Sequence, residues 1–480
     1  MNIILKKGEV NMIENENPNQ KLVEFNNYLK NRKVAVIGLG VSNIPLIEYL
    51  YNVGAKVTVF DNKNIEEIPK EIMDKITNYM MEFSFGENYL SKLNNFDMIF
   101  RSPSCLPTVP EIAKEKERGA IVTSEIEMLM EMCPGTVIGI TGSDGKTTTT
   151  SLIYEIIKEK GLNCYVGGNI GIPLFTKLNE MTADDIIILE LSSFQLMGMN
   201  ISPKISVITN ITPNHLNIHS SYEEYIDAKK NIFKFQNEEG VVVLNYDNEI
   251  TRSCAKEAKG KVRFFSSKNK LDDGFIIDNG VIKECEDKLR RHILNTSEVK
   301  LRGMHNFENI ATAIAATKDL VDIDTQIKAI KKFQGVEHRL ELIREIKGVK
   351  WYNDSVSSSP TRTIAGLNTF DENIILIAGG YDKNLDYTPI AKPILKKVKS
   401  LILLGDTSKK IADAVENESI KQNKPIDIYQ CDNLKQTVDI AYKIAKKGEV
   451  VLFSPASASF DMFKNFADRG QKFKNIVNEL

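Results

Sequence analysis

The sequence predicts an α/β protein of three successive domains, each a largely parallel sheet flanked by helices. Short apolar runs of the kind found in strands buried on both faces alternate with helical stretches along the chain. These alternations fall into three blocks, opening near residues 21, 132 and 336. A chain of 480 residues also exceeds what one hydrophobic core holds, so about three domains is the natural expectation. The expected boundaries are a loose polar tail over 1–20, then domains over 21–131, 132–335 and 336–480.

Composition excludes several classes of function. An apolar content of 42% with 26% charged residues is that of a soluble globular protein. A formal net charge of −2 with no basic block gives no reason to expect nucleic acid or a membrane surface as partner. No apolar run reaches the roughly 18–20 residues of a membrane helix, and Ile3-Ile4-Leu5 before Lys6 and Lys7 is too short for a signal peptide. Six scattered cysteines without metal-type spacing read as reduced thiols, and the expected location is the cytoplasm.

In the first block the strand Lys33-Val-Ala-Val-Ile-Gly-Leu-Gly40 runs into a Gly-rich turn. A helix from Pro45 to about Val53 follows, then the strand Ala55–Phe60 and Asp61. This is a Rossmann-like βαβ unit, with a carboxylate about 20 positions after the turn, where a ribose is often held. Asn43 replaces the third glycine of the dinucleotide fingerprint, which weakens an NAD site. Two readings stay open there: a nucleotide-like ligand at this edge, or the same fold with none. The strand Phe96–Phe100 runs into Arg101-Ser-Pro-Ser-Cys-Leu-Pro107, stiffened by two prolines.

The second block carries the most informative segment, Val137-Ile-Gly-Ile-Thr-Gly-Ser-Asp-Gly-Lys-Thr-Thr-Thr149. An apolar strand enters a turn of Gly142, Ser143, Asp144 and Gly145, then Lys146 and Thr147, with a helix expected from near Thr148. Such a turn aims backbone N–H groups and a helix N-terminus at phosphate oxygens, with a lysine for charge and a hydroxyl for magnesium. Ile140 stands where the longer form of the motif has glycine, so this is the shorter T-G-x-x-G-K-T form. The strands Ile186–Leu189 and Ile205–Thr209 end in Glu190-Leu-Ser-Ser-Phe-Gln195 and in Asn210–His219. In an open parallel sheet such carboxyl ends converge on the ligand, and Glu190 is placed to ligate magnesium there.

Ser221-Tyr-Glu-Glu224 has the form of a capping box opening a helix. At 100° per residue, Tyr222, Tyr225, Ile226, Ile232 and Phe233 share one face, with Lys229 in its middle and Lys230 on the flank. Two readings fit Lys229. Its ammonium snorkels to water, or it stays among apolar groups, where a lowered pKa leaves an amine able to react with carbon dioxide. Further on, Phe275–Gly280 has the look of a hairpin, and Gly303-Met-His-Asn-Phe-Glu-Asn309 opens a helix with Asn306 and Asn309 one turn apart. Those asparagines serve either capping or a ligand. The third block has strands at Ile374–Ile377, Leu401–Leu404 and Val450–Phe453. Its expected polar loops are Trp351–Ser355, Gly379–Lys383 and Ser454–Ser459.

Taken in order, T-G-x-x-G-K-T, Gly168-Asn-Ile-Gly171, Glu190–Gln195, His215-Leu-Asn-Ile-His219, Tyr225–Lys229, His305-Asn306, Glu337-His-Arg339 and Asn353–Ser355 resemble the Mur ligases from about residue 30 onward. The ending Ser454–Gly470 is similar to that of the D-glutamate-adding branch. The resemblance implies three domains, the outer two Rossmann-like and the central one a mononucleotide-binding parallel sheet. It implies an ATP-dependent ligase that activates the carboxylate of UDP-N-acetylmuramoyl-L-alanine as an acyl phosphate and joins it to D-glutamate, in a monomer. Lys146 and the turn residues Gly142, Ser143, Asp144, Gly145 and Thr148 would hold the phosphates. Thr147 and Glu190 would hold one magnesium; His215 and a carbamoylated Lys229 would hold a second. By the same resemblance Asn306, Asn309, Arg339 and Asp354 contact ATP. Gly40, Ser42, Asp61, Asn62, Asn169, Ser192 and Gln195 contact the UDP substrate. Ser358, Lys383, Ser459 and Phe466 contact D-glutamate. Two departures stand out: Asn217 where relatives often have aspartate, and Val356 where some have lysine. Rival readings are a folylpolyglutamate-type ligase, a non-catalytic nucleotide-sugar-binding relative, and a dehydrogenase using Gly38–Asp61, which leaves the second block unexplained.

Overall fold

Gln20–Leu29 is helical, an element that the polar composition of the first residues conceals. The computed structural model describes residues 19–79, 81–213 and 219–480, so the expected tail lies outside the described residues up to position 18. Asn19 already belongs to the fold. Its Oδ1 accepts from the Leu22 amide at 3.1 Å, capping the helix, and its Nδ2 donates to the Met132 carbonyl at 2.8 Å. Leu22, Phe25 and Leu29 are the buried stripe, too sparse among Asn, Lys and Glu to stand out in the sequence.

The chain divides into two compact units. The first runs to Val299 and takes in Met304–Lys332; the second comprises Lys300–Gly303 and Phe333–Leu480. The first unit holds two sheets. Its five-stranded sheet has the order Glu82–Phe85, Lys56–Asp61, Lys33–Ile37, Met98–Arg101, Ile121–Thr123, all parallel. Alternation places Val34, Val36 and Val59 on one face against Leu46, Ile47 and Leu50 of the helix Asn43–Asn52. Ala35, Ile37 and Phe60 face the other way, toward Ile112 of the helix Pro110–Glu117. Each such buried Val, Leu, Ile or Phe side chain contributes about 1.5–3 kcal/mol, and burial on both faces explains the unbroken apolar runs.

The nine-stranded sheet of the same unit starts from Cys164–Gly168, Ile186–Glu190, Thr136–Thr141, Ile205–Ile208, Val241–Asn245, Lys261–Ser266 and Gly274–Asp278, mutually parallel. Val281–Glu286 and Leu289–Asn295 extend it antiparallel. The expected hairpin is there: Asn279 (φ 51°) and Gly280 (φ 74°) make the tight turn before Val281. Thr136–Thr141 is third from one end of this sheet, flanked on both sides by parallel strands, and the phosphate turn opens from its carboxyl end.

The second unit has a six-stranded sheet in the order Glu341–Ile346, Val349–Asn353, Val450–Phe453, Ile374–Ala378, Val398–Leu404, Asp427–Cys431. Its first strand is antiparallel to its neighbour and the others are parallel. Two expectations need correcting here and in the first unit. Trp351–Asn353 finishes a strand rather than opening a loop, because Trp351 is buried against Val451 and Phe453. The helix after the phosphate turn begins at Lys146, two residues earlier than expected, because Gly145 (φ 81°) provides the left-handed N-cap.

Candidate active site

The turn after Thr136–Thr141 depends on two glycines. Gly142 (φ 148°) and Gly145 (φ 81°) adopt conformations that L side chains rarely take. A Cβ on Gly142 would strike Thr209 Oγ1, and one on Gly145 would strike Asn309 Oδ1. The strand end beside it braces the turn. Asp144 N donates to Asn210 Oδ1 at 2.9 Å, and Thr209 Oγ1 donates to the Asp144 carbonyl at 2.5 Å. Ser143 Oγ lies 3.0 Å from the Thr212 carbonyl and 2.9 Å from the Tyr225 hydroxyl. The helix Lys146–Glu159 then opens at the turn, bringing the positive end of its dipole to it. Thr147 is part-exposed at this mouth and Thr148 is buried. Asn309 reaches the same place from the helix Met304–Thr317: its Oδ1 accepts from Thr149 Oγ1 and its Nδ2 donates to Asn306 Oδ1, both at 3.3 Å. Gly142 to Thr148, Asn306 and Asn309 thus form one cluster.

Both lysines of the site converge on the turn. Lys146 Nζ donates to the carbonyls of Gly142 (2.9 Å) and Ser143 (3.0 Å). Lys229, on the helix Tyr222–Lys234, is 2% exposed. Its Nζ donates to the same Gly142 carbonyl at 2.9 Å and to Thr141 Oγ1 at 3.2 Å, and lies 4.8 Å from the Tyr225 ring centroid. Burial drives its pKa well below the ordinary lysine value, and the positive charge of Lys146 adds to this; Asp144 and Glu190 oppose it. Lys229 therefore does not snorkel. Lys230 does, pairing with Glu257 at 2.6 Å. The helix start also differs from a reciprocal capping box. Ser221 Oγ accepts from Glu224 N at 3.1 Å, but the Glu224 carboxylate takes the Ser220 amide, at 2.6 Å.

Glu190 ends its strand 1% exposed. Oε1 accepts from Asn169 Nδ2 at 2.8 Å, while Oε2 is buried and among the described residues has no hydrogen-bond partner. A buried anionic oxygen without a donor is costly, and a cation there would satisfy it. The residues present thus fit a magnesium ion. His215 and Asn217 lie outside the described residues. His219 was not among the expected site residues. Its Nε2 lies 2.9 Å from Ser193 Oγ, and its ring stacks on Phe194 (4.9 Å, 11°) and meets Tyr225 edge-on (5.2 Å, 73°). Burial holds its imidazole below the usual pKa. The only sequence signal was a second histidine four positions after His215.

Next to Glu190, Ser192 and Gln195 satisfy each other. Gln195 Oε1 accepts from Ser192 N and Oγ, each at 2.9 Å, at the start of the short helix Ser193–Leu196. Arg101, the last residue of the strand Met98–Arg101 in the first sheet, donates to the carbonyls of Cys105 and Met197. On the first sheet, Asp61 accepts from Leu39 N (2.7 Å) and Lys63 N (2.9 Å), so it shapes the glycine turn. Asn43 Nδ2 fills the third-glycine position by donating to the Ile37 and Gly38 carbonyls, at 3.0 and 2.9 Å. Gly40 and Asn62 are exposed at this edge, and Ser42 precedes the helix Asn43–Asn52 as its N-cap.

Within the second unit, Asp354 is buried. Its Oδ2 accepts from Ser357 Oγ (2.6 Å) and Ser454 Oγ (2.7 Å), its Oδ1 from Leu340 N (3.2 Å), and burial raises its pKa to about 6. Arg339 lies beside it, close enough to oppose that shift. Arg469, absent from the expected site, organises the neighbouring loops from inside. It donates to the carbonyls of Ser355 (2.8 Å), Ser457 (3.1 Å) and Ala458 (2.8 Å), and burial lowers its pKa to about 10. Ser355 Oγ donates to the Phe466 carbonyl at 2.7 Å. The segments bearing Ser358, Ser459 and Phe466 are thereby joined, and Tyr381 N, donating to the Ala458 carbonyl at 3.0 Å, adds the segment bearing Lys383.

Three stretches match Mur ligase descriptions: a MurD-like N-terminal domain over 32–124, the middle domain over 140–317 and the glutamate ligase domain over 338–457. The chain is 49% identical over 464 residues to the UDP-N-acetylmuramoylalanine–D-glutamate ligase of Acetivibrio thermocellus, covering 96% of this chain and 99% of that one. The chain belongs to the Mur ligase family. The enzyme of the same name from Clostridium tetani is 48% identical, with 96% of this chain and 100% of the other covered. Among solved structures, the Mur ligase fold is shared with UDP-N-acetylmuramate-alanine ligase MurC of Thermotoga maritima (TM-score 0.56, 18% identity, 94% and 100% covered). It is shared too with the MurF ligase of the same organism in complex with ADP (TM-score 0.54, 18% identity, 95% and 97% covered). Among the described residues no helix is long and apolar enough to cross a membrane.

Proposed function

We infer that this Mur ligase joins D-glutamate to UDP-N-acetylmuramoyl-L-alanine at the expense of ATP, a step in building peptidoglycan precursors. The observation that carries this reading is likeness at nearly half of the positions over 96% of this chain and nearly all of the other, to ligases of that name. It is supported by a second: Lys146, Glu190 and Lys229 cluster around one phosphate-binding turn.

Phosphoryl transfer asks the protein for alignment and charge neutralisation rather than covalent chemistry. The turn amides and Lys146 bind the β- and γ-phosphates. Asn306 and Asn309 border the same turn, and Arg339 and Asp354 serve phosphate and ribose. The substrate carboxylate takes the γ-phosphoryl group, releasing ADP and forming an acyl phosphate. The D-glutamate nitrogen attacks the acyl carbon; the tetrahedral intermediate loses inorganic phosphate and the nitrogen its proton, leaving an amide. Asn169, Ser192 and Gln195 orient the acyl end, and Gly40, Ser42, Asp61 and Asn62 the uridine diphosphate. Lys383, Ser358, Ser459 and Phe466 receive D-glutamate.

Magnesium would be held at two sites, by Thr147 with Glu190, and by His215 with Lys229, where it offsets phosphate and carboxylate charge. Magnesium is a hard cation that prefers oxygen ligands, which Lys229 supplies as a carbamate. Its neutral amine adds carbon dioxide, the N–C bond forms, one proton leaves, and the carbamate carries two oxygens. Two facts favour this: its depressed pKa, and the cost of a second ammonium on a carbonyl that Lys146 already uses.

The test is isotopic. With ¹⁸O in the carboxylate of UDP-N-acetylmuramoyl-L-alanine, one label should appear in the released phosphate in a D-glutamate-dependent turnover. Unlabelled phosphate would exclude the acyl-phosphate route.

A further inference from the structure

At the surface of the second unit, one lysine is held by a ring instead of a carboxylate. Lys383 Nζ lies 5.4 Å from the ring centroid of Phe460, and Phe460 is met edge-on by Tyr381 (6.0 Å, 73°). Both aromatics are exposed, Phe460 at 59% and Tyr381 at 40%, although each has apolar area that burial would reward. Among the described residues Lys383 has no ion-pair partner. The adjacent carboxylate, Asp382, is already engaged by Lys410 at 2.5 Å and by the Asn384 amide at 2.8 Å. Lys399 and Lys474 of the same unit, by contrast, sit on carboxylates at 2.8 and 2.6 Å.

The arrangement is built rather than incidental. An antiparallel bridge pairs Tyr381 with Ala458, and Gly380 N donates to Thr407 Oγ1 at 3.1 Å. From below, Arg469 holds the Ala458 carbonyl, so the segments bearing Lys383 and Phe460 are locked to each other. A ring face orients an ammonium without neutralising it, and leaves N–H donors that can reach a carboxylate. A carboxylate partner would have fixed the lysine equally well but cancelled its charge.

We propose that Phe460, backed by Tyr381, is a positioning residue that presents Lys383, extended and uncompensated, to a carboxylate of the incoming amino acid. This rests on the reading of Lys383 as a D-glutamate contact. Phe460 adds specificity, because its exposed face lies beside Ser459 and meets the apolar stem of a dicarboxylic amino acid.

Phe460→Leu keeps bulk and loses the ring face; Phe460→Tyr keeps the face; Lys383→Ala removes the cation. Steady-state kinetics on the full chain, with all three substrates varied, should give Phe460→Leu a KM for D-glutamate raised about three- to fivefold. Its kcat and its KM values for ATP and the UDP substrate should stay within twofold, and Phe460→Tyr should return the D-glutamate KM to wild type. Lys383→Ala should raise that KM further. A wild-type KM for Phe460→Leu alongside a raised one for Lys383→Ala would overturn the proposal and leave the D-glutamate reading standing. An unchanged KM for Lys383→Ala would remove that reading and the proposal with it. Equal losses for all substrates in Phe460→Leu, unrelieved by Phe460→Tyr, would mark a merely structural role and also overturn it.

Discussion

Lys146 and Lys229 donate to the same carbonyl oxygen, that of Gly142, each at 2.9 Å. Two ammonium groups on one acceptor repel strongly where burial lowers the effective dielectric. The conflict falls on Lys229, the more buried of the two.

Lys229→Ala should lower turnover on the order of a thousandfold, and added bicarbonate should not restore it, since no amine remains to carry the carbamate. Phosphate release under saturating substrates measures this. Near-normal turnover by the variant would contradict the carbamate role.

Glu190→Gln keeps the size of the side chain and an acceptor for Asn169, but loses the charge on the buried Oε2. Its magnesium requirement should rise at least about tenfold. A magnesium titration of activity reads this directly, and an unshifted midpoint would remove Glu190 from the metal site.

Glu125 offers a pH test away from the chemistry. It is buried, accepts a 3.3 Å bond from Phe175 N, and burial raises its pKa to about 7 from an ordinary 4.5. A carboxyl with a raised folded pKa holds its proton better folded than unfolded. Stability therefore falls as pH rises from about 4.5 to about 7, and the penalty is complete above that. Glu125→Gln escapes it. The variant should be more stable than the parent at pH 8, by on the order of 2–3 kcal/mol, with the difference closing toward pH 4.5. Urea unfolding midpoints across this range check it; a constant difference would show that Glu125 does not titrate in the fold.

Lys383→Ala should raise the KM for D-glutamate by about ten- to a hundredfold, the cost of a lost charge-assisted hydrogen bond, and leave ATP binding nearly unchanged. Calorimetric titration with ADP alongside D-glutamate kinetics separates the two. Equal effects on both would refute the placement.

Much of this was legible in the sequence where one local pattern decides the outcome. Gly142, Gly145 and Lys146 announce the turn because only glycine tolerates those torsions. Lys229 could be placed on an apolar face from helical period alone. What the sequence hid depends on partners distant along the chain. Arg469 reads as an ordinary charged helix residue, yet its donors serve carbonyls 114 and 11 or 12 residues away. Trp351–Asn353 looked like a loop because Asn353 and Asp354 are polar; both are buried by contacts from His338 and Ser454. Ser221 and Glu224 carry a capping-box signature, but its carboxylate chose the amide one residue earlier.

The most direct test of the central claim is phosphate release with ATP, magnesium and UDP-N-acetylmuramoyl-L-alanine, with D-glutamate, L-glutamate, L-lysine or diaminopimelate as the amine. Release with D-glutamate alone, with an amide product of the matching mass, is the predicted result. Release with one of the others instead, or with none, would contradict it.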